Sequence, residues 1–166
     1  MFIATRTDFT LQLKALPAKL PIKKLGTEYK ALQGYVKLAN FSRLSELIKV
    51  QNNEQIWVNL EFVALDTKKI LINGHIDHDV TLECQRCLQY MIYKINTKIS
   101  VVLIDILSRI DKNLSAYEPI EIDIKNNDKL DLYQLIEDEM ILSLPTVAMH
   151  SEHQLDICEI NELIIH

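Results

Sequence analysis

Between residues 56 and 103 the chain alternates apolar and polar residues with few breaks, and a period of two dictates β-strand. Ile56, Val58, Leu60 and Phe62 fall on one side of the first segment. Ile70, Ile72, Ile76, Val80 and Leu82 fall on one side of the second, with Asn73, His75, Asp77, Asp79, Thr81 and Glu83 opposite. Met91, Tyr93, Ile95, Ile99, Val101 and Leu103 continue the pattern in the third. Three long alternating strands predict an antiparallel sheet with one wet face. "TDFTLQLKAL", "YKALQGYVKL" and "IEIDI" add shorter strands, and Gly34 marks a bulge or a close backbone approach.

Two segments switch to helical period. In "ANFSRLSELIKV", Phe41, Leu44, Leu47 and Ile48 share one face, with Asn40 or Ser42 as the capping side chain. In "DLYQLIEDEMILSLP", the shared face is Leu132, Leu135, Ile136 and Met140. There Asp131 followed by Gln134 resembles a capping box, and Pro145 stops the helix. Glu137, Asp138 and Glu139 spread round that helix and read as a solvated face. "PAKLPIKKLGTE" reads as a basic, extended connection. The order of elements predicts an α+β fold: an antiparallel sheet able to curl toward a barrel, with main helices at about 40–50 and 131–143.

The 166 residues, 48% of them hydrophobic, suit one domain over 1–166 with one core, ending in an irregular segment at 145–166. No run of 18 apolar residues predicts a membrane span, and the N-terminus lacks the basic-then-apolar pattern of a secretory leader. The odd count of three cysteines favours a reducing cytoplasm with free or metal-bound thiols. The net charge of −5 divides as +6 over residues 1–50, −1 over 51–116 and −10 over 117–166. A basic front and an acidic tail imply two different electrostatic surfaces.

Cys84 and Cys87, in "VTLECQRCLQYM", fall between the second and third long strands, at the tip of a predicted hairpin. A tight turn points two thiolates at spacing i, i+3 to the same side, where both can reach one zinc at about 2.3 Å. A thioredoxin-like pair needs a helix opening at the motif, and no helical period follows Cys87. Further ligands are available in "HSEHQLDIC": His150, His153 and Cys158. With Cys84 and Cys87 these allow a structural zinc site. The alternative is two buried thiols beside surface histidines. A thiol oxidoreductase at Cys84 and Cys87 requires an activated thiol, and a pKa near about 8.5 would leave none. His78 falls on the apolar face of its strand and reads as a hydrogen-bonded structural histidine. No Gly-rich phosphate loop or nucleophile elbow is present, and no run of aromatic residues alternates with basic ones.

"TLECQRCLQ", "YEPIEI" and "LDLYQLIEDEMILSLP", followed by a His and a Cys, closely resemble the bacterial YceD family of large ribosomal RNA subunit accumulation proteins. The resemblance covers most of residues 10–160. It implies a non-enzymatic cytoplasmic role in 23S rRNA accumulation and large-subunit biogenesis. The partner would be ribosomal RNA or a large-subunit ribosomal protein, with neither a membrane nor a small-molecule substrate. Many members carry cysteines five, nine and thirteen residues after the Pro that ends the helix. Here those positions are His150, Gln154 and Cys158. Direct RNA contact would use Lys14, Lys19, Lys23, Lys24, Lys30 and Arg86, each phosphate contact making binding weaker with salt. The alternative partner mode is an acidic adaptor that holds a basic ribosomal protein without touching RNA.

Overall fold

The structure is a computed structural model and describes residues 10–50, 53–108, 114, 116–123 and 129–150. A six-stranded sheet runs β1–β3–β4–β5–β6–β7 across its width. The strands are β1 Thr10–Ala15, β3 Ala31–Lys37, β4 Gln55–Asp66, β5 Lys69–Glu83, β6 Tyr90–Asp105 and β7 Glu118–Ile122. β2 (Lys19–Pro21) and β8 (Lys129–Asp131) form a separate two-stranded ribbon. The helices are α1, Ser42–Leu47, and α2, Leu132–Ser143. The fold is thus α+β as expected. The sheet stays open, because β1 and β7 lie at opposite edges. It is antiparallel in its centre, while β1 on β3 and β7 on β6 pair in parallel.

The alternating residues build one core. Ile56, Val58, Leu60 and Phe62 of β4 are buried together with Ile70, Ile72, Ile76, Val80 and Leu82 of β5. Ile95, Ile99, Val101 and Leu103 extend this layer across β6. The apolar stripe of α2, Leu132, Leu135, Ile136 and Met140, packs on it. Where alternation gives way to the run "VVLI", β6 is buried on both faces, since Val102 and Ile104 pack with Leu114 behind the sheet. Gly74 sits opposite Leu60, where a Cβ would come within 2.6 Å of the Leu60 side chain. A larger residue there would displace Leu60 from the core.

Several local expectations change in the folded chain. The bulge lies in β1, between Gln12 and Ala15, opposite Gly34. "PAKLPIKKLGTE" is more than a connection. It holds β2 and a 3-10 turn at Ile22–Lys24, and it buries Leu20, Ile22 and Leu25. Gly26 takes φ +75° against the backbone of Ala64. α1 is only six residues long, so Leu47 is left exposed while Phe41, Leu44 and Ile48 are buried. Neither Asn40 nor Ser42 caps it; Phe41 stands at the N-cap without a side-chain hydrogen bond. In α2 the Asp131 cap forms as read: its side chain accepts from the Gln134 N–H at 3.0 Å.

Candidate metal centre at the hairpin tip

β5 and β6 pair rung by rung from Lys69↔Ile104 to Glu83↔Tyr90, which brings Cys84 and Cys87 to the turn between them. The turn is closed by the Leu88 N–H donating to the Cys84 carbonyl at 2.8 Å and the Cys84 N–H donating to the Gln89 carbonyl at 2.9 Å. Leu88 takes φ +60°, the left-handed backbone that reverses the chain after the second cysteine. No helix opens here, so the helix N-terminus that activates thioredoxin-like thiols is missing from this turn.

The third member arrives from the other end of the sequence. α2 packs along β6, with the Tyr93 hydroxyl donating to the Ser143 carbonyl at 3.1 Å. After Pro145 the chain runs to the hairpin, where the Gln85 N–H donates to the Ala148 carbonyl at 2.8 Å. This rung places His150 beside the thiols, with Cys87 Sγ 3.5 Å from His150 Nδ1. The ligand atoms of Cys84, Cys87 and His150 all lie within 4.8 Å of one another. Four donors around a zinc at about 2.0–2.3 Å stand roughly 3.5 Å apart, so the spacing suits one small, soft cation.

The electrostatics point the same way. Burial alone would push the Cys84 thiol up. The backbone N–H groups of Cys87, Arg86 and His150, with the His150 side chain, outweigh burial and hold it down at about 5. Cys84 is thus an anion at neutral pH, the state that ligates a metal or attacks an electrophile. Its exposure of 0% leaves an electrophile no open approach path in this conformation, a path that a metal ligand does not need.

The structure brings together three of the five sequence-derived ligands, while His153 and Cys158 lie outside the described residues. The basic residues do not gather into one patch. Lys19 lies on β2, 4.0 Å from Asp131. Lys23 and Lys24 sit near the β4–β5 turn, Lys24 in an ion pair with Glu28 at 2.8 Å. Lys30 adjoins Phe62 of β4 through its carbonyl. Lys14 belongs to β1, and its side chain falls outside what the structure describes. Arg86 is exposed at the hairpin tip, at the far end of β5 from Lys23 and roughly 45 Å along the strand.

Two features escaped the sequence reading. Lys49 bridges to Thr81 of β5 and lays its ammonium 3.9 Å over the exposed Tyr90 ring, at the last rung before the turn. Glu137 is buried rather than solvated, and holds Arg43 of α1. Neither has a local signal, because each pairs residues far apart in sequence. His78 is as read, hydrogen-bonded to Glu54 at 3.0 Å.

The family model described as "Large ribosomal RNA subunit accumulation protein YceD" matches residues 72–162. A Haemophilus influenzae protein of that name is 31% identical over 125 residues, covering 75% of this chain and 70% of the relative. The chain belongs to the YceD family. The YceD match begins in β5 and takes in Cys84, Cys87 and His150, so the whole cluster lies within it. The lysines at 14–30 lie before it. No solved structure matches this YceD chain.

Proposed function

We propose that this chain supports accumulation of large-subunit ribosomal RNA as a non-catalytic factor that contacts 23S rRNA through the β5–β6 hairpin tip. The observation that carries this reading is the cluster of Cys84, Cys87 and His150, which fastens the tip to the segment after α2 and leaves Arg86, Lys49 and Tyr90 outward. A guanidinium and an ammonium suit phosphate, and an exposed tyrosine suits a stacked base. Arg86 and Tyr90 lie inside the family match and Lys49 docks onto them from outside it, whereas Lys19, Lys23, Lys24 and Lys30 also lie outside it and are spread over other elements. The tip is therefore the better candidate for rRNA.

In this reading Cys84, Cys87 and His150 hold a structural zinc, with a fourth ligand from His153 or Cys158. The ion would cross-link the hairpin to the C-terminal segment and perform no turnover. No helix of the described chain is long and apolar enough to cross a membrane, in keeping with work among ribosomal components in the cytoplasm.

The test is crosslinking in cells followed by sequencing of bound RNA, with elemental analysis of the purified chain. The expected result is enrichment of large-subunit rRNA and one zinc per chain. Arg86→Glu with Lys49→Glu should reduce the rRNA yield about tenfold while the fold survives. Unchanged association in that variant sinks the contact at the tip.

A further inference from the structure

A second surface lies between α2 and the edge strand β7, well away from the hairpin tip. Three- and four-residue spacing puts Leu135, Asp138, Glu139 and Leu142 on one face of α2. That face looks across a groove of about 660 Å³ toward Glu118, Ile120 and Glu121 of β7. The floor is apolar, with Val101, Ile120 and Leu135, and Leu142 stands 71% exposed on the wall.

The groove's charges are unbalanced. Asp138 is held by Arg43 at 2.5 Å, and Lys19 lies 4.0 Å from Asp131. Among the described residues Glu118, Glu121 and Glu139 form no ion pair, and Lys129 is the one further cation on the lining. The Glu139 carboxyl is pushed up, first by burial and then by the carboxylates of Glu118 and Asp138. A polyanion such as RNA would be repelled here. A bare metal cation would have no use for Ile120, Leu135 and Leu142. An extended protein segment with alternating basic and apolar side chains satisfies both the rim and the floor.

We infer that this groove binds a lysine- and arginine-rich segment of another protein, its cations against Glu118, Glu121 and Glu139 and its apolar side chains on Ile120, Leu135 and Leu142. This goes beyond the rRNA contact and uses a different face of the molecule, so one protein could hold nucleic acid and a basic protein at once.

The probe is a fluorescent twelve-residue peptide, three repeats of Lys-Leu-Lys-Ala, titrated into the full chain at low salt, with oligouridylate as a second ligand. Glu118→Gln with Glu139→Gln should raise the peptide Kd about tenfold. Leu142→Ser should raise it a few-fold, and Glu61→Gln with Asp79→Gln on the outer sheet face should leave it unchanged. The groove variant should melt no lower than the parent, since it removes like-charge repulsion, and should keep its rRNA crosslinks. Equal peptide affinity in the groove and outer-face variants overturns the inference, as does oligouridylate binding that depends on the groove residues. Loss of rRNA crosslinks with peptide binding intact sinks the hairpin-tip reading instead.

Discussion

Glu137 reaches from α2 to the first turn of α1, where its Oε1 accepts the Arg43 N–H at 2.8 Å and its Oε2 takes the Arg43 guanidinium at 3.0 Å. The same Oε1 also accepts the Leu44 N–H at 3.1 Å. A helix too short to cap itself is thus capped by a carboxylate 94 residues away in the chain. Charge complements the open N–H groups, which favours an anion at that end.

Replacing Glu137 should therefore cost more than an ordinary surface substitution. Glu137→Ala strands two backbone donors, one of them buried, and should lower stability by about 2–3 kcal/mol. Glu137→Gln keeps an acceptor oxygen and should cost about 1 kcal/mol. Chemical denaturation of the two variants checks this, and equal losses would show that the charge alone matters.

The Cys84 thiol should ionise far below its ordinary value of 9.0, at about 5. A depressed folded-state pKa contributes stability present above the unfolded value and lost as pH falls through the folded one. In the metal-free chain, thiolate absorbance should persist at pH 7 and fade as the solution is acidified through pH 5, together with part of the stability. Cys84→Ser should flatten the stability profile between those limits.

Alkylation should separate ligand from nucleophile. Cys84 is buried and Cys87 half-buried. Iodoacetamide should modify Cys87 first, despite the lower pKa of Cys84, and added zinc should protect both. Faster reaction at Cys84 would mean that the tip opens to solvent and would revive the oxidoreductase reading.

Two glycines should resist substitution for different reasons. Gly26→Ala would bring a Cβ to 2.3 Å from the Ala64 backbone nitrogen at a positive φ, and should cost about 3 kcal/mol. Gly74→Ala meets the Leu60 methyl at 2.6 Å but also the Asn59 carbonyl at 2.8 Å, and should cost about 1–3 kcal/mol. Thermal melts rank the pair.

The sheet and α2 were legible because their signals are periodic and local. Ile56 to Phe62 and Leu132 to Met140 declare their buried faces by spacing alone. The Asp131 cap was legible for the same reason, being three residues from its donor. The meeting of Cys84 and Cys87 follows from the hairpin, and His150 stands in the sequence among the candidate ligands after Pro145. Contacts set by how distant segments dock were not legible. Residue types at Arg43, Glu137, Lys49 and Tyr90 are compatible with plain solvation, and only the packing of α1 and of the Lys49 segment converts them into partners. The scatter of the lysines belongs to the same class, since a stretch basic in sequence is spread over several elements in space.

The pairing of β4 with β5 ends at Ile76, while β5 and β6 continue for seven more rungs. Past that point the ribbon outruns β4 and is held by Val80, Leu82 and Ile95 in the core, by the Tyr93 bond to Ser143, by the Lys49 bridge on one flank, and at its end by the bond between Gln85 and Ala148. The core and α2 fix the rungs up to Glu83, so the clasp at the free end governs only the turn beyond them, and releasing it would free Arg86 while the ribbon beneath stays put.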